Sequence, residues 1–283
     1  HHRASINMHT LQYGLNALEK LNDAFEKVYF ITGNHDLYYR DKRDIHSVEW
    51  AKHLKNVVVV DHFVEEGDCV IAPWLCGDDY KLLKQKKGKY LFAHLELPHF
   101  YMNAMIEMPD HGEANTDHLG HFDKVFTGHF HKRQARKNVW YMGNAFPHNY
   151  ADAGDDARGM MVLEWDKEPE FHSWPDQPVY RVYKLSEVLE NPKGLLIKNA
   201  HVRVHLDIDI SYEESNYIRE QLIPEYGLRE MSLLPLKNEE HSQDLAPGEI
   251  SFESVDNIII DQIKNIESEF YDKSILLGIY QSI

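Results

Sequence analysis

The sequence lacks the long apolar segments and the cysteines that mark several other protein classes. It contains no run of about 20 apolar residues, the length that a transmembrane helix needs. Cys69 and Cys76 are the only cysteines, too few for a disulfide framework or a thiolate metal site. These absences predict a soluble protein in a reducing, cytoplasmic compartment.

Positive charge is also scarce. The chain has 30 Lys and Arg against 46 Asp and Glu, a formal net charge of −16 at pH 7. This balance disfavours unspecific long-range attraction to DNA, so a nucleic-acid function must depend on local cations and metals. Histidine, in contrast, is abundant. There are 19 histidines, and each can bind metal or transfer a proton near neutral pH.

The apolar pattern predicts an α/β domain in the first part of the 283 residues. Apolar residues recur every three or four positions over 8–25, which predicts an amphipathic helix. Short β-rich runs lie at 28–32, 57–60, 69–72, 90–93, 125–127, 139–142 and 160–165. Helical or loop segments near 46–54 and 79–86 separate them. Such alternation predicts a layered α/β domain that ends at the prolines of 175–178.

A smaller unit is predicted after this boundary. Apolar and polar residues alternate over 202–210, which predicts a half-buried strand with Val202, Val204, Leu206, Ile208 and Ile210 on one face. A helix over 212–223 and a strand over 230–236 complete a βαβ-like element. Residues 237–248 have the composition of a linker, and an apolar stripe predicts a helix over 255–271.

Three short motifs stand at the ends of predicted strands. They are Gly33-Asn34-His35-Asp36, His94 and Gly128-His129-Phe130-His131. Ligands gather outside the carboxyl ends of strands in open α/β sheets, so these groups are expected to converge. In extended backbone, residues two apart point the same way, so His129 and His131 are expected to enter one cavity. Imidazole and amide ligands without thiolate favour a hydrolytic metal centre over a structural zinc clip.

Each motif alone also has a structural explanation. His129 and His131 could be a surface or packing pair, and His94 could be a core histidine with its hydrogen bonds satisfied. Gly, Asn and Asp all favour turns, so the first motif could be only a turn. The occurrence of all three motifs, in this order and each after a β-rich run, favours the metal site.

Together the motifs resemble the second half of the signature of calcineurin-like metallophosphoesterases. In detail the chain looks most like the SbcD-type nuclease subunit of phage and bacterial recombination complexes. Residues 141–144 and 156–159 add to the likeness, which covers about residues 1–175. The resemblance implies a metal-dependent DNA exonuclease or endonuclease that hydrolyses phosphodiesters by a two-metal mechanism in recombination and repair.

The same resemblance implies an organisation for the whole chain. Residues 1–177 would form a layered αββα metallophosphoesterase domain, and 178–237 a small α+β capping domain that shapes DNA access. Residues 238–283 would be a linker and a helical segment that binds an SbcC-type ATPase subunit, although that helix could instead pack on its own domain. A homodimer, no membrane contact and a cytoplasmic location, the host cytoplasm for a phage-encoded protein, are also implied.

Carried over residue by residue, the resemblance implies two divalent metal ions, expected to be Mn²⁺. Asn34, His94 and His129 would bind one ion, and His131 would bind the other. His35 would be the catalytic histidine, which contacts the scissile phosphate and assists the leaving oxygen. Asp36 would orient His35 or close the turn.

The resemblance is incomplete at the N-terminus. The family begins with a strand that ends in Asp-x-His, followed by a Gly-Asp whose carboxylate bridges the two metals, and this sequence has neither motif. We therefore expect an earlier segment to carry them, and these 283 residues alone to bind metal poorly and to be inactive. Measurable metal-dependent cleavage by this chain would contradict that expectation.

Two cationic clusters flank the predicted site. They are Arg40, Lys42 and Arg43 after the first motif, and Lys132, Arg133, Arg136 and Lys137 after the last. Such clusters would suit contacts with a phosphate backbone, although two solvated loops would explain them as well. A phosphatase or cyclic-nucleotide phosphodiesterase for small substrates stays an alternative, as does a non-catalytic scaffold.

Overall fold

The structure is a computed structural model that describes residues 5–103, 106–110 and 115–235, together with positions 263, 273, 276 and 277. The chain divides into two units, His1–Pro235 and Leu236–Ile283. Apart from those single helical positions, the linker, terminal helix and partner-binding segment predicted after residue 236 lie outside the described residues. The domain boundary predicted at 175–178 stays a prediction.

The described part of the first unit has a mixed α/β fold. Its α-helices are α1 (Met8–Ala24), α2 (Asp79–Leu83), α3 (Leu185–Glu190), α4 (Pro192–Leu195) and α5 (Tyr212–Tyr226). Its strands are β1 (Val28–Ile31), β2 (Val57–Val60), β3 (Val64–Glu66), β4 (Cys69–Ile71), β5 (Tyr90–His94), β6 (Lys124–Gly128), β7 (Gln134–Arg136), β8 (Val139–Tyr141), β9 (Gly159–Val162), β10 (Glu170–Ser173), β11 (Val179–Lys184), β12 (Ala200–Leu206) and β13 (Glu230–Pro235). Short 3-10 helices cover Glu49–His53, Thr116–Leu119 and Tyr150–Asp152.

A six-stranded sheet in the order β3-β4-β5-β6-β8-β7 carries the largest apolar core. Its four inner strands are parallel, and the short edge strands β3 and β7 pair antiparallel with their neighbours. The inner strands are apolar over most of their length, as the strands of a parallel sheet usually are. Parallel pairing places His94 opposite Gly128, so the ends of β5 and β6 lie side by side.

A second parallel pair, β1 and β2, brings the first motif to the same edge. Beyond the pair, the backbone N–H of Thr32 donates to the carbonyl of Val60 at 3.2 Å. The N–H of Trp74, which follows β4, donates to the carbonyl of Thr32 at 2.8 Å. Helix α1, whose N-terminus is capped by the Asn7 side chain, buries Leu18 in the apolar cluster over this pair. The chain after Thr32 therefore emerges next to the end of the larger sheet.

The last part of the unit is a parallel sheet, β11-β12-β13, with its own apolar core. The predicted βαβ order of β12, α5 and β13 is confirmed, and Gly227 ends α5 with a φ of +61°. The predicted strand over 202–210 is wrong beyond Leu206. There the Asp207 carboxylate accepts hydrogen bonds from the backbone N–H and hydroxyl of Ser186, which turns the chain out of the sheet. Ile208 and Ile210 therefore do not extend the strand face.

Most other predicted elements are present with small changes in their ends. The helix over 8–25 is confirmed, and the strand over 57–60 has its predicted bounds. The strand expected over 160–165 ends at Val162, and the helical segment near 46–54 is a single 3-10 helix. Strands β3, β7, β10 and β11 were not predicted, because they are short or follow prolines.

Candidate metal-binding and active site

A cavity of about 780 Å³ lies at the carboxyl ends of β1, β5 and β6. All five predicted site residues line it: Asn34, His35, His94, His129 and His131. Asp36, Asn144 and His148 also contribute to the wall. The structure thus brings the three strand-end motifs to one place. The chemical roles assigned to these residues stay predictions.

His94 packs against several side chains at the cavity. Its Nε2 lies 3.2 Å from Oδ1 of Asn34, and its ring centroid lies 5.2 Å from that of His129. The indole of Trp74 packs against both imidazoles, with centroid distances of 5.9 and 5.0 Å. Burial, together with the charges of His129 and His35, lowers the pKa of His94 to about 3. At pH 7 the His94 ring is therefore neutral and has a lone pair for a ligand.

Two glycines leave the space that the His94 ring occupies. A Cβ on Gly33 would lie 2.9 Å from Cε1 of His94, and one on Gly128 would lie 3.0 Å from Nδ1. Both distances are shorter than normal van der Waals contacts, so any side chain at either position must move the ring. Here glycine is needed for close approach to the imidazole.

Gly33→Ala should therefore displace the His94 ring without unfolding the protein. The expected result is a change in the ring nitrogen signals of His94 and loss of its contact with Asn34, measured by ¹H–¹⁵N NMR of the imidazoles. Gly120→Ala is the matched control, because its Cβ would meet nothing closer than the Asp117 carbonyl at 3.5 Å. Unchanged His94 signals in Gly33→Ala would contradict this account of the packing.

His129 reaches the cavity from a backbone that is not extended. Strand β6 ends at Gly128, and His129 has a φ of +87°, in the left-handed region. Both side chains line the cavity, as expected. The predicted cause, an extended backbone through His129 and His131, is wrong. The left-handed conformation costs about 1–3 kcal/mol and persists only when its surroundings hold it.

The carboxylate of Glu96 is one such support, since its Oε2 lies 3.0 Å from Nε2 of His129. Burial lowers the pKa of the His129 imidazole, and Glu96 opposes part of that shift. Glu96 was not predicted as a site residue. Glu96 lies two positions after the strand-end His94. That proximity in sequence was the only feature that could have suggested it as a site residue.

The opposite side of the cavity is built on a buried ion pair. Asp152 and Arg158 are both fully buried, and Nη2 of Arg158 lies 3.2 Å from Oδ1 of Asp152. Arg158 also pairs with Asp155 at 3.1 Å and donates to the backbone carbonyl of His131. Nδ1 of His131 lies 3.6 Å from Oδ1 of Asp152, too far for a hydrogen bond, and is buried without a hydrogen-bond partner.

His148 adds a further imidazole beside His131. The two ring centroids are 5.7 Å apart, and the backbone N–H of His148 donates to Oδ2 of Asp152 at 3.0 Å. Burial lowers the pKa of the His148 ring. Neither His148 nor Asp152 was predicted, because both lie in and around a 3-10 helix that no strand-end pattern marks. The likeness noted at residues 156–159 was the nearest signal.

Most cations of the two predicted clusters already have protein partners. Arg43 donates to the carbonyls of Asp61 and Trp74, both at 2.8 Å, and pairs with Asp79. The guanidinium of Arg133 stacks 3.5 Å from the centroid of the Phe171 ring. Arg40 and Lys42 are exposed and form no ion pair with the described residues. These two remain the cations available to a ligand from the first cluster.

A group outside the cavity also has metal-ligand chemistry. His46, Glu49 and Asp61 bring their ligand atoms within 4.8 Å of one another, the only such group of His, Cys, Asp and Glu among the described residues. However, Nζ of Lys52 already lies 2.9 Å from Glu49 and 2.7 Å from Asp61. The lysine already occupies Oε2 of Glu49 and Oδ2 of Asp61, so we interpret the group as an ion-pair network rather than a metal site.

Comparisons with known proteins agree with a nuclease relationship. No protein-family model matches the chain. The sequence is 29% identical over 175 residues to exonuclease subunit 1 of Enterobacteria phage T4. The matched region covers 59% of this chain and 50% of that protein. The chain is thus a distant homologue of that subunit and spans about half the length of the curated relative. Within the described residues, no helix is long and apolar enough to cross a membrane.

Proposed function

We propose that the protein is a metal-dependent DNA nuclease of the calcineurin-like metallophosphoesterase type, the SbcD-like subunit of a recombination and repair complex. The convergence of Asn34, His94, His129 and His131 around one cavity, with the exposed His35 at its wall, is the observation that carries this proposal. The similarity to exonuclease subunit 1 of phage T4 supports it. On this proposal the two sheets at the cavity would belong to a layered αββα domain.

The donor set fits divalent metal ions. His94 is neutral and its Nε2 already lies beside an amide oxygen, while His131 has a buried nitrogen with no hydrogen-bond partner. Asn34, His94 and His129 would hold one ion and His131 the other. Bound ions, which we propose to be Mn²⁺, would lower the pKa of a water and stabilise charge on the phosphate. Asp36 is the only carboxylate among the described lining residues, so a second ion would need further acidic ligands from elsewhere.

The protein's own groups have distinct tasks in this reaction. His35 would contact the scissile phosphate and act as a general acid, giving a proton to the departing alkoxide. A general acid must lie within hydrogen-bond reach of the group that it protonates. Glu96 would keep the His129 ring in place through its hydrogen bond. The pair of Asp152 and Arg158 would fix the segment of His131, whose backbone carbonyl accepts from Arg158.

The partners and domains are part of the same proposal. Residues 178–237, with the separate core of β11, β12 and β13, would cap the active site and guide DNA. Residues 238–283 would bind an SbcC-type ATPase subunit, and the protein would form a homodimer. The name of the T4 relative, a numbered subunit, supports assembly with another chain.

A substrate comparison tests the function. The full-length protein, with Mn²⁺, is expected to release nucleotides from end-labelled linear DNA much faster than phosphate from p-nitrophenyl phosphate. A preference for the small monoester would overturn the nuclease proposal in favour of a phosphatase. No hydrolysis of either substrate, with Mn²⁺ binding intact, would identify a non-catalytic scaffold.

A thermal-shift measurement tests the metal ligands separately. Mn²⁺ should raise the melting temperature of the complete protein, because a ligand at about 100 times its Kd adds about 2.7 kcal/mol to stability. His94→Gln should remove most of this rise. His172→Gln, at a half-exposed histidine on β10, is the control and should keep it. An unchanged rise in His94→Gln would exclude His94 as a ligand.

A further inference from the structure

The loop after the first motif exposes two aromatic rings. We call residues 38–45 the tyrosine loop. Tyr38 is 50% exposed and Tyr39 is 44% exposed, although burial of a phenol ring usually stabilises a protein. Their ring centroids lie 4.8 Å apart and their planes cross at 84°. The two ring planes therefore face different directions, and about half of each side chain is open to solvent.

The base of the tyrosine loop is firmly held. Leu37 is fully buried and forms a β-bridge with His46, and the N–H of Tyr38 donates to the carbonyl of Ile45 at 3.0 Å. Within the loop, Arg43 is anchored to two backbone carbonyls outside it. The exposed rings thus stand on a fixed support, so little conformational entropy is lost when they bind a ligand.

The loop also presents two exposed cations, which alternate with the exposed carboxylates of Asp41 and Asp44. Arg40 and Lys42 are exposed, and Nζ of Lys42 lies 5.9 Å from the centroid of the Tyr39 ring. Both cations are without an ion pair to the described residues, while the chain as a whole carries −16. Asp41 and Asp44 offset the long-range field of these cations, so the attraction for an anionic ligand is limited to direct contact of a phosphate with Arg40 or Lys42.

The position of the loop connects it with the cavity. Asp36 lines the cavity and Tyr38 follows two residues later. Two residues span at most about 7 Å, so the backbone of Tyr38 lies within that distance of the cavity wall. A polymer that reaches the cavity can thus touch the tyrosine loop with neighbouring units.

We propose that the tyrosine loop binds the unpaired end of a DNA strand that enters the cavity. Bases stack on the faces of Tyr38 and Tyr39, and Arg40 and Lys42 contact the backbone phosphates between them. Aromatic faces next to cations are the combination that binds single-stranded nucleic acid without regard to sequence. The inference rests on the proposed function for its substrate class and adds the strand-end stacking site.

A binding experiment in EDTA tests the loop without any cleavage. The complete protein is titrated against a fluorescein-labelled oligothymidine, and anisotropy gives the Kd. The double variant Tyr38→Ala/Tyr39→Ala should weaken binding about ten-fold or more, as expected when stacked bases are lost. Tyr38→Phe/Tyr39→Phe keeps both rings and should bind as the wild type does. Tyr13→Ala removes a 73% exposed tyrosine from α1, outside the proposed capping unit, and should have no effect.

A second readout reports stacking itself. A 2-aminopurine at the end of the strand should be quenched by the wild type and by the phenylalanine variant, but not by the alanine variant. Equal quenching by all three, equal affinities of the alanine variant and the wild type, or no binding of the oligonucleotide would each overturn the proposal. Melting temperatures must match, so that misfolding does not explain a loss.

The outcomes separate this proposal from the nuclease assignment. Tyrosine-dependent binding in EDTA together with no Mn²⁺-dependent cleavage would reject the assignment and keep the stacking site. Cleavage of DNA together with unchanged binding by the alanine variant would reject the stacking site and keep the assignment.

Discussion

His35→Gln should lower the rate of DNA cleavage by about 10²–10⁴-fold, the usual contribution of a general acid. His35 is exposed at the cavity wall, and the proposed ligand set does not include it. Glutamine can still donate a hydrogen bond to the phosphate, but it cannot give a proton to the leaving oxygen. The rate is measured as nucleotide release from end-labelled DNA, and the Mn²⁺-induced rise in melting temperature should persist.

The control for this variant is His53→Gln, which changes an exposed histidine at the end of a 3-10 helix. It should alter neither the rate nor the melting temperature. If His35→Gln lost metal binding together with turnover, His35 would be a ligand or a structural residue rather than the catalytic acid. A rate within a few-fold of wild type would also contradict the proposed role.

Arg158→Met should strongly destabilise the protein, although Arg158 itself does not line the cavity. The change removes the partner of a fully buried Asp152 and leaves its charge uncompensated, which costs about 3–5 kcal/mol. The melting temperature should fall by about 10 °C, since 1 kcal/mol corresponds to about 2–4 °C for a protein of this size. Urea unfolding measures the free energy directly.

A double variant separates the lost ion pair from lost packing. Adding Asp152→Asn to Arg158→Met removes the unpaired charge and should restore part of the stability, so the two effects should not add. Lys137→Met breaks an exposed pair with Asp117 and should cost less than about 1 kcal/mol. A loss below 1 kcal/mol in Arg158→Met would show that the Asp152 carboxylate is stabilised by its other contacts.

The sequence was most informative where local pattern and burial coincide. Helix α1 repeats its apolar residues with the helical period, and strands β2, β5 and β6 are short apolar runs, so these elements were predicted to within a residue or two. The three motifs converge because parallel pairing puts the ends of β5 and β6 side by side. That inference needed only the rule that parallel strands share one carboxyl edge.

Features that depend on long-range contacts were beyond the same reasoning. The positive φ of His129 depends on contacts around the end of β6, and no residue-type pattern marks it. Asp152 and His131 lie close together only in the folded chain. The residues around them show no common apolar pattern that would predict this contact. The short edge strands β3 and β7 have three residues each, which leaves too few positions for an alternation to be seen.

The left-handed backbone of His129 has a consequence for how the protein can change. Glycine adopts this φ without strain, and asparagine does so more readily than histidine. A laboratory selection for heat resistance alone would thus favour one of these residues at position 129. Each heat-resistant variant of this kind would lack the imidazole that faces His94. Selection for stability and selection for activity would therefore favour different residues at position 129.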